Sequence, residues 1–373
     1  MSLFDHLSLL DDPRSHVNQR HNLVDVLFLV FSAMTSGQDG WAEIQQFGEL
    51  KLNWLRQFRC FKNGIPRRHT IARIVQAINP EALQLCLISW INEKRQQADK
   101  PLIAIDGKAL KMASKLGEKA FHSVAADDIN TGLALYQELS SGKGKEIATE
   151  IATAKSLLNM LDIDNALITL DALHAQADTL SAIISRKADY LIQVKGNQKR
   201  LSQAVQAQFT KAFGACDTVP HFATTNKGHG REETRITFQL PFIANDEIKK
   251  KWPSINTIVA VERHRKIKNK TTIDTKFYVS SHQVAPEFMS TAVRGHWQIE
   301  NNLHWVLDVV FKEDSCRIHE ANSVESLLIL RRLALNLAKM ETTQKRSMKN
   351  KLNRSLLSDE YREPLIFGHV KGQ

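Results

Sequence analysis

The feature that most constrains the fold is a change of hydrophobic period near residue 100. Before it, between residues 21 and 93, apolar residues recur every three or four positions, which is typical of amphipathic helices. After it, short apolar runs have the length and composition of strands: residues 101–106, 121–126, 133–139, 166–171 and 189–194. Helical patterns follow some of these runs, at residues 146–161 and 175–186. Strands that alternate with helices predict an α/β sheet that contains parallel strands.

Two of these strands end in an acidic residue, Asp106 and Asp171. In open α/β sheets, binding sites form at the strand ends. Two carboxylates ~4 Å apart repel by about 4 kcal/mol at an effective dielectric of ~20, so such a pair requires divalent cations or a raised pKa. Oxygen ligands without a cysteine partner favour Mg²⁺ or Mn²⁺. The alternative is structural, because acids at strand ends also form turns and cap helices.

A helix predicted at residues 294–311 offers a third acid. It carries a polar stripe at four-residue spacing: His296, Glu300, His304 and Asp308. Zinc is disfavoured, because His296 and His304 are about 12 Å apart along a helix that rises ~1.5 Å per residue. We therefore interpret Glu300 as the third candidate ligand, with a solvated helix face as the alternative.

The remaining pattern predicts five regions. Residues 213–284 are polar and alternating, with Gly228 and Gly230, which indicates a mainly β insertion. The predicted order is a helical N-terminal domain at 1–97, the first part of the core at 98–212, the insertion at 213–284, the rest of the core with the Glu300 helix at 285–340, and a basic tail at 341–373.

Charge points to a polyanionic partner. The chain has 50 Lys and Arg against 40 Asp and Glu, a formal net charge of +10, so nucleic acid is the first candidate. The apolar run at residues 26–34 is far shorter than the roughly 20 residues that span a bilayer. No basic segment precedes an apolar stretch at the N-terminus, so we expect a cytoplasmic protein without a membrane partner.

Several short motifs lie between residues 105 and 308, in the predicted core and insertion: Ile105-Asp-Gly-Lys108, Thr169-Leu-Asp-Ala172 with Gln176, Asp189-Tyr190 with Lys195-Gly-Asn-Gln198, Gly228-His-Gly-Arg231, His296-Trp-Gln-Ile-Glu-Asn301 and Leu303-His-Trp-Val-Leu-Asp308. Others lie near the N-terminus: Asp12-Pro-Arg14, His21-Asn-Leu23 and Asn63-Gly-Ile-Pro66. Across residues 10–340, these motifs resemble the H-repeat-associated insertion-sequence transposases of the DDE superfamily and the domain associated with them. The resemblance implies that the helical domain at residues 1–97 is this associated domain, and we expect it to bind DNA.

The resemblance implies a ribonuclease-H-like core with catalytic acids at Asp106, Asp171 and Glu300. It implies a transposase that binds the terminal repeats of its element in double-stranded DNA, cleaves them and joins the ends to target DNA. Two Mg²⁺ ions, with Mn²⁺ as a substitute, are expected on these acids, with Asp106 bridging both ions. A homodimer is expected in the active complex, associated with the bacterial nucleoid when bound.

Several polar residues near the three acids are predicted DNA contacts: Lys108, Lys195, Asn197, Gln198, His229, Arg231, Arg294, His296, His304 and Lys312. Ordinary surface lysines and a plain glycine turn are the alternatives for Lys108, Lys195 and the 228–231 segment. The sequence departs from related transposases, which carry Tyr, Arg and Lys where this chain has Val293, His296 and Leu307.

Two further functions stay open from the sequence. One is a transposase-derived DNA-binding protein without activity, whose affinity would fall steeply with salt. The other is a metal-dependent DNA nuclease on the same fold, which would cut without joining. The presence of all three acids favours the transposase over the first of these.

Overall fold

The structure is a computed structural model. It describes residues 1–95, 99–110, 121–140, 146–215, 218–228, 230–252, 254–268, 270–316, 318 and 320–368.

The N-terminal part is helical, as predicted. Its helices are α1 (Leu3–Leu7), α2 (Leu23–Met34), α3 (Trp41–Leu55), α4 (Arg68–Ala77) and α5 (Pro80–Lys94). Asn22 caps α2 by accepting a hydrogen bond from the Asp25 N–H, and Asn79 caps α5 in the same way. All twelve residues of α2 are buried, so this helix forms the centre of the helical layer.

The central sheet begins with β1 (Leu102–Leu110), β2 (Phe121–Asp128) and β3 (Ala134–Ser140), which form an antiparallel meander. Helix α6 (Glu146–Met160) then leads to β4 (Leu167–Leu170), and α7 (Ala177–Ser185) leads to β5 (Asp189–Val194). Strand β4 pairs parallel to β1, and β5 pairs parallel to β4. The order β3-β2-β1-β4-β5 with these directions is the predicted ribonuclease-H-like core.

The predicted β insertion is also present, and it extends the core sheet. After α8 (Lys199–Gly214) come β6 (His221–Gly228), β7 (Arg231–Pro241), α9 (Asp246–Lys251), β8 (Thr257–Ile267) and β9 (Lys270–Ser280). Strand β9 pairs antiparallel to β5, so one nine-stranded sheet runs from β3 to β6. Because the sheet is continuous there, the domain boundary at residue 213 stays a prediction.

The last segment is helical. It contains α10 (Pro286–Ile299), a π-helical turn at Glu300–His304, α11 (Trp305–Val309), α12 (Ala321–Met340), α13 (Met348–Leu357) and α14 (Asp359–Phe367). Helix α12 packs against α2, α4, α5 and β3, so it joins the helical layer to the sheet. Helices α13 and α14 lie within the segment predicted as a basic tail.

Helix α10 crosses the sheet over β1, β4 and β7. A Cβ atom at Gly295 would lie only 2.3 Å from Cγ2 of Ile129, so glycine permits the close approach between α10 and the turn after β2. This contact fixes the position of the residues that follow α10.

Within the described residues, no single helix is both long and apolar enough to cross a bilayer. The bent pair of α4 and α5 passes that test by length and composition alone, with an 83° angle between the helices.

Candidate active site

Asp106 and Asp171 lie side by side where the pairing between β1 and β4 ends. The prediction that Asp106 ends its strand is wrong, because β1 continues to Leu110 through its pairing with β2. Strands β1 and β4 are parallel, and Ile105 pairs with Leu170. Asp106 follows Ile105 and Asp171 follows Leu170, so the two aspartates are neighbours. The Asp171 carboxylate caps a short helical turn by accepting a 2.8 Å hydrogen bond from the Leu173 N–H. Asp171 therefore lies directly after a strand, as predicted, and it also caps a helical turn, which is the structural role that we considered as the alternative.

The π-helical turn after α10 places Glu300 and His304 beside Asp106. One ligand atom from each of these three residues lies within 4.8 Å of the other two. Asp171 is outside this group. Single π-helical turns within α-helices are frequent at functional sites. Two carboxylates and an imidazole are a donor set that fits a divalent cation.

Asp106 is ionised at neutral pH. Burial acts to raise the pKa of this carboxyl, but the neighbouring His304 and His296 lower it more, so its pKa lies below the usual value. The Nε2 atom of His304 lies 3.5 Å from Asp106 Oδ2. His304 is 3% exposed, and neither ring nitrogen has a hydrogen-bond partner among the described residues. Buried nitrogen atoms are nearly always hydrogen-bonded, so one without a hydrogen-bond partner indicates a place for a ligand, an ion or a water molecule.

His296 faces the sheet. Its Nδ1 atom lies 3.0 Å from the Thr169 hydroxyl on β4. Burial lowers the pKa of His296, against the opposing effect of the carboxylates Asp106 and Asp171. The imidazole is therefore neutral at physiological pH and joins α10 to β4.

Lys108 is held by carboxylates. Its ammonium group contacts Asp308 and lies 3.2 Å from Glu313 Oε2. Glu313 is fully buried, and its other oxygen lies 3.4 Å from Arg332. Burial acts to raise the pKa of Glu313, but Arg332 and Lys108 hold it below the usual value. In this arrangement the charge of Lys108 is already balanced.

The residues after β5 hold the loop that follows Asp171. The Asn197 amide donates a 2.7 Å hydrogen bond to the Ala172 carbonyl. The Gln198 amide donates one of the same length to the Ala175 carbonyl. Lys195 is exposed beside them.

The other predicted contacts lie around the periphery. Arg231 is exposed at the start of β7, where it pairs with Gly228 across the hairpin. Lys312 is exposed, with a left-handed backbone (φ 53°), in the turn after α11. His229 lies outside the described residues.

A cationic cavity adjoins Glu300, and most of its charges were missed by the sequence analysis. The cavity has a volume of about 440 Å³, lies between β7, β8, β9 and α10, and is lined by residues that include Arg235, Arg263, Lys276, Arg294 and Glu300. A smaller cavity of about 200 Å³ shares Arg235 and Arg294 and reaches Arg231. Basic side chains thus lead from the β6–β7 hairpin to Glu300, with Glu233 and Asp274 also among the lining residues.

Like charges meet directly in this cavity. Arg235 on β7 pairs in register with Arg263 on β8, and a carboxylate offsets the repulsion at each of them. Arg235 contacts Glu233, and Arg263 lies 3.4 Å from Asp274 Oδ2. Burial lowers the pKa of Arg235, and Arg294 and Arg263 lower it further, while Glu233 opposes them. Periodicity alone did not reveal this cavity, although Arg231, Arg235, Arg263 and Lys276 share one face of the adjacent strands β7, β8 and β9.

Other lining groups suit an organic ligand. The Lys276 ammonium lies 3.9 Å from the ring centre of Trp297, whose side chain is 48% exposed. The Thr237 hydroxyl is buried, and it has no hydrogen-bond partner among the described residues. The cavity therefore offers cations, an aromatic face and an unused hydroxyl next to the acidic group.

Comparison with known proteins gives matches along almost the whole chain. Residues 97–337 match the family model "Transposase DDE domain", and residues 4–91 match the model "DDE_Tnp_1-associated". The chain is 34% identical to "H repeat-associated putative transposase YhhI" of Escherichia coli (strain K12), over 98% of this chain and 98% of that protein. It is 35% identical to "Putative transposase YncI" of Escherichia coli O157:H7, over 98% of this chain and 94% of that protein.

Two further matches are shorter or weaker. The chain is 44% identical to "Inactive transposase YbfQ" of Escherichia coli (strain K12), over 20% of this chain and 87% of that protein. A solved structure of the piggyBac transposase synaptic complex with hairpin DNA aligns with a TM-score of 0.41 and 10% identity, over 96% of this chain and 76% of that one.

Proposed function

Because this chain belongs to the DDE transposase family, we propose that it binds the terminal repeats of an insertion sequence, cleaves their strands and joins the ends to target DNA. We propose that it acts as a homodimer on double-stranded chromosomal DNA, because two ends of one element must be processed together. The bacterial nucleoid is the expected place of action.

The observation that carries this proposal is the group formed by Asp106, Glu300 and His304, with ligand atoms within 4.8 Å of one another. These residues would hold one divalent ion, Mg²⁺ or Mn²⁺. A second ion would require Asp171, whose carboxylate caps the Leu173 N–H beside Asp106. When bound, such ions activate an attacking oxygen and stabilise the leaving 3′-oxygen of a phosphodiester.

The chain's own residues would bind and orient the DNA strand. The guanidinium groups of Arg235, Arg263 and Arg294 lie in the cavity that Glu300 also lines. Guanidinium donors match phosphate oxygens in pairs, so they would bind a phosphate beside the scissile bond. Arg235 and Arg263 would then share their donors between that phosphate and the carboxylates of Glu233 and Asp274. Lys195 and Arg231 are exposed and would add phosphate contacts. The amides of Asn197 and Gln198 would act by holding the Asp171 loop.

The first prediction is loss of cleavage without loss of DNA binding. Asp106→Asn, Asp171→Asn and Glu300→Gln should each lower metal-dependent strand cleavage at least about a thousandfold, because metal stabilisation of the transition state contributes several kcal/mol. Glu360→Gln, which changes an exposed acid on α14, is the matched control. Cleavage is measured on labelled element ends, and binding by gel mobility shift. Full activity in a variant would remove that residue from the active site.

The same assay separates the alternative functions. Joined strand-transfer products support the transposase, whereas cleavage without joining indicates a nuclease. Binding of element ends without cleavage by the unaltered protein indicates a DNA-binding protein that has lost its activity. The presence of Asp106, Asp171 and Glu300 favours the active enzyme.

The second prediction concerns the metal. Imidazole nitrogen suits transition metals better than Mg²⁺, so His304→Gln should weaken Mn²⁺ binding at least about tenfold and Mg²⁺ binding less. Free Mn²⁺ is measured by electron paramagnetic resonance, and the rise of the melting temperature with each metal gives a second readout. Equal Mn²⁺ affinity in the variant and the unaltered protein would show that His304 is no ligand.

A further inference from the structure

The helical layer carries a groove that the active site does not use. It lies between the loop at residues 14–21, the turn at residues 63–65 and helix α4, and it has a volume of about 600 Å³. Its titratable lining residues are all basic: Arg14, Arg20, His21, Arg67 and Arg73. No acidic residue lines it among those that the structure describes.

The N-terminal motifs build the walls of this groove. The Asn63 amide donates a hydrogen bond to the Arg20 carbonyl, and Gly64 adopts a left-handed conformation (φ 67°) in the same turn. The Arg14 guanidinium donates to the His21 carbonyl (2.9 Å) and to both oxygens of Asp12 (2.6 and 2.8 Å). These contacts join residues 12–14, 21 and 63–64, so the N-terminal motifs together hold the walls of the groove in place.

Most of the positive charge in the groove is uncompensated. Arg20, Arg67 and Arg73 are exposed, and none of them forms an ion pair with a residue that the structure describes. Burial lowers the pKa of His21, and the nearby Arg20 and Arg14 lower it further, as expected where positive potential is high. A bound anion would relieve this repulsion.

The beginning of α4 adds a helix dipole to the groove. Arg67 occupies the N-cap position and makes no side-chain capping hydrogen bond. The N–H groups of Arg68 and Thr70 already donate to Gln45 Oε1 (2.7 Å) and to the Arg67 carbonyl (2.7 Å). The positive end of the helix dipole still favours an anion here. Because Arg73 lies on the same helix, the dipole and the guanidinium groups act on one groove.

We propose that this groove is a second DNA-binding surface, which grips backbone phosphates of duplex DNA away from the Asp106–Glu300–His304 group. Guanidinium forks bind phosphate oxygens in pairs, and such contacts position a duplex without reading its sequence. The proposal rests on the proposed function to the extent that DNA is the substrate. The N-terminal motifs would then form the walls of a phosphate-binding groove.

The test measures affinity for a fluorescein-labelled duplex of arbitrary sequence by fluorescence anisotropy over a range of KCl concentrations. Arg67→Ala combined with Arg73→Ala should weaken binding at least about tenfold and reduce the slope of log K against log salt by about 2, one for each lost phosphate contact. Lys249→Ala combined with Lys250→Ala removes the same charge from exposed positions of α9 and is the matched control. The control pair should change the affinity less than about twofold.

The outcomes separate this proposal from the proposed function. If the groove pair and the control pair bind the duplex alike, the groove is not a DNA-binding surface, although DNA cleavage at the acidic group would still stand. If the unaltered protein binds no duplex at all, both proposals fail. Equal melting temperatures of the two double variants exclude unfolding as the cause of a selective loss.

Discussion

At the scale of single residues, a histidine is the unexpected member of the acidic group. The sequence placed Asp106 and Glu300 among the candidate ligands, because strand ends and a polar helical stripe are visible in the pattern. It gave His304 a DNA-contacting role instead. In the structure, His296 contacts Thr169 and His304 contacts Asp106. Which of these two histidines faces Asp106 depends on how α10 and the turn after it lie on the sheet. That orientation depends on packing, which spacing does not encode.

A residue outside the active site gives the third prediction, which concerns pH. Asp127 on β2 is buried, with Lys339 Nζ 3.9 Å away, and burial raises its pKa to about 6. The folded form therefore holds a proton that the unfolded form releases near the ordinary aspartate pKa of 3.8, so the free energy of unfolding should fall as pH rises from 4 to 6. The free energy of unfolding in urea, measured at several pH values, tests this.

Asp127→Asn should remove most of that dependence. About two pKa units correspond to roughly 3 kcal/mol, which the unaltered protein should lose between pH 4 and 7. Glu360→Gln, at an exposed position, should leave the pH profile unchanged. A parallel fall in stability in the Asp127→Asn variant would assign the effect to other groups.

At the scale of elements, α12 is the helix on which the helical layer and the sheet meet. Its Arg331 is 1% exposed and contacts both carboxylate oxygens of Asp39, before α3, at 2.9–3.2 Å. Its Asn336 pairs with both backbone groups of Ala134 on the edge strand β3, at 2.9 and 2.8 Å. The two Asn336 bonds satisfy the N–H and C=O groups of Ala134, which an edge strand would otherwise leave without a strand partner.

The fourth prediction tests the ion pair. Asp39→Ala leaves the Arg331 guanidinium buried without its partner and should lower the free energy of unfolding by about 3–5 kcal/mol. Adding Arg331→Met removes the unpaired charge and should restore much of the stability. Denaturant unfolding followed by circular dichroism measures both variants. A single variant as stable as the unaltered protein would contradict the burial of this pair.

Element prediction from sequence succeeded where the signal is local. The change from helical period to short apolar runs predicted both the helical N-terminal region and the α/β core. It did not predict that the β insertion joins the core sheet, because β5 and β9 pair across more than eighty residues: Leu191 with Ser280 and Val194 with Phe277. Strand order depends on such distant pairs, and periodicity carries no information about them.

At the scale of the whole molecule, the two ends of the described chain meet. Phe367 of α14 stacks against Phe58 and lies near Phe4 of α1, with ring centres 4.5 and 5.7 Å apart. Arg362 on the same helix is fully buried, with its guanidinium 4.6 Å from the Trp54 ring. The segment predicted as a basic tail thus contributes to the helical core.

The fifth prediction follows from that packing. Leu365 on α14 is 2% exposed, so Leu365→Ala should lower the free energy of unfolding by about 2–5 kcal/mol through lost burial and an added cavity. Leu357→Ala is the matched control, because Leu357 is 82% exposed and should cost less than about 0.5 kcal/mol. Similar effects of the two changes on urea unfolding would show that α14 does not belong to the core.

The contact between α1 and α14 also bears on how the molecule is made. Helix α1 is synthesised before α14, so part of its apolar contact surface is covered only when α14 has also been synthesised. Until then the nascent polypeptide lacks the Phe367 side chain that packs against Phe4 and Phe28. Slow translation of the α14 codons would prolong the exposure of these aromatic side chains to chaperones and proteases.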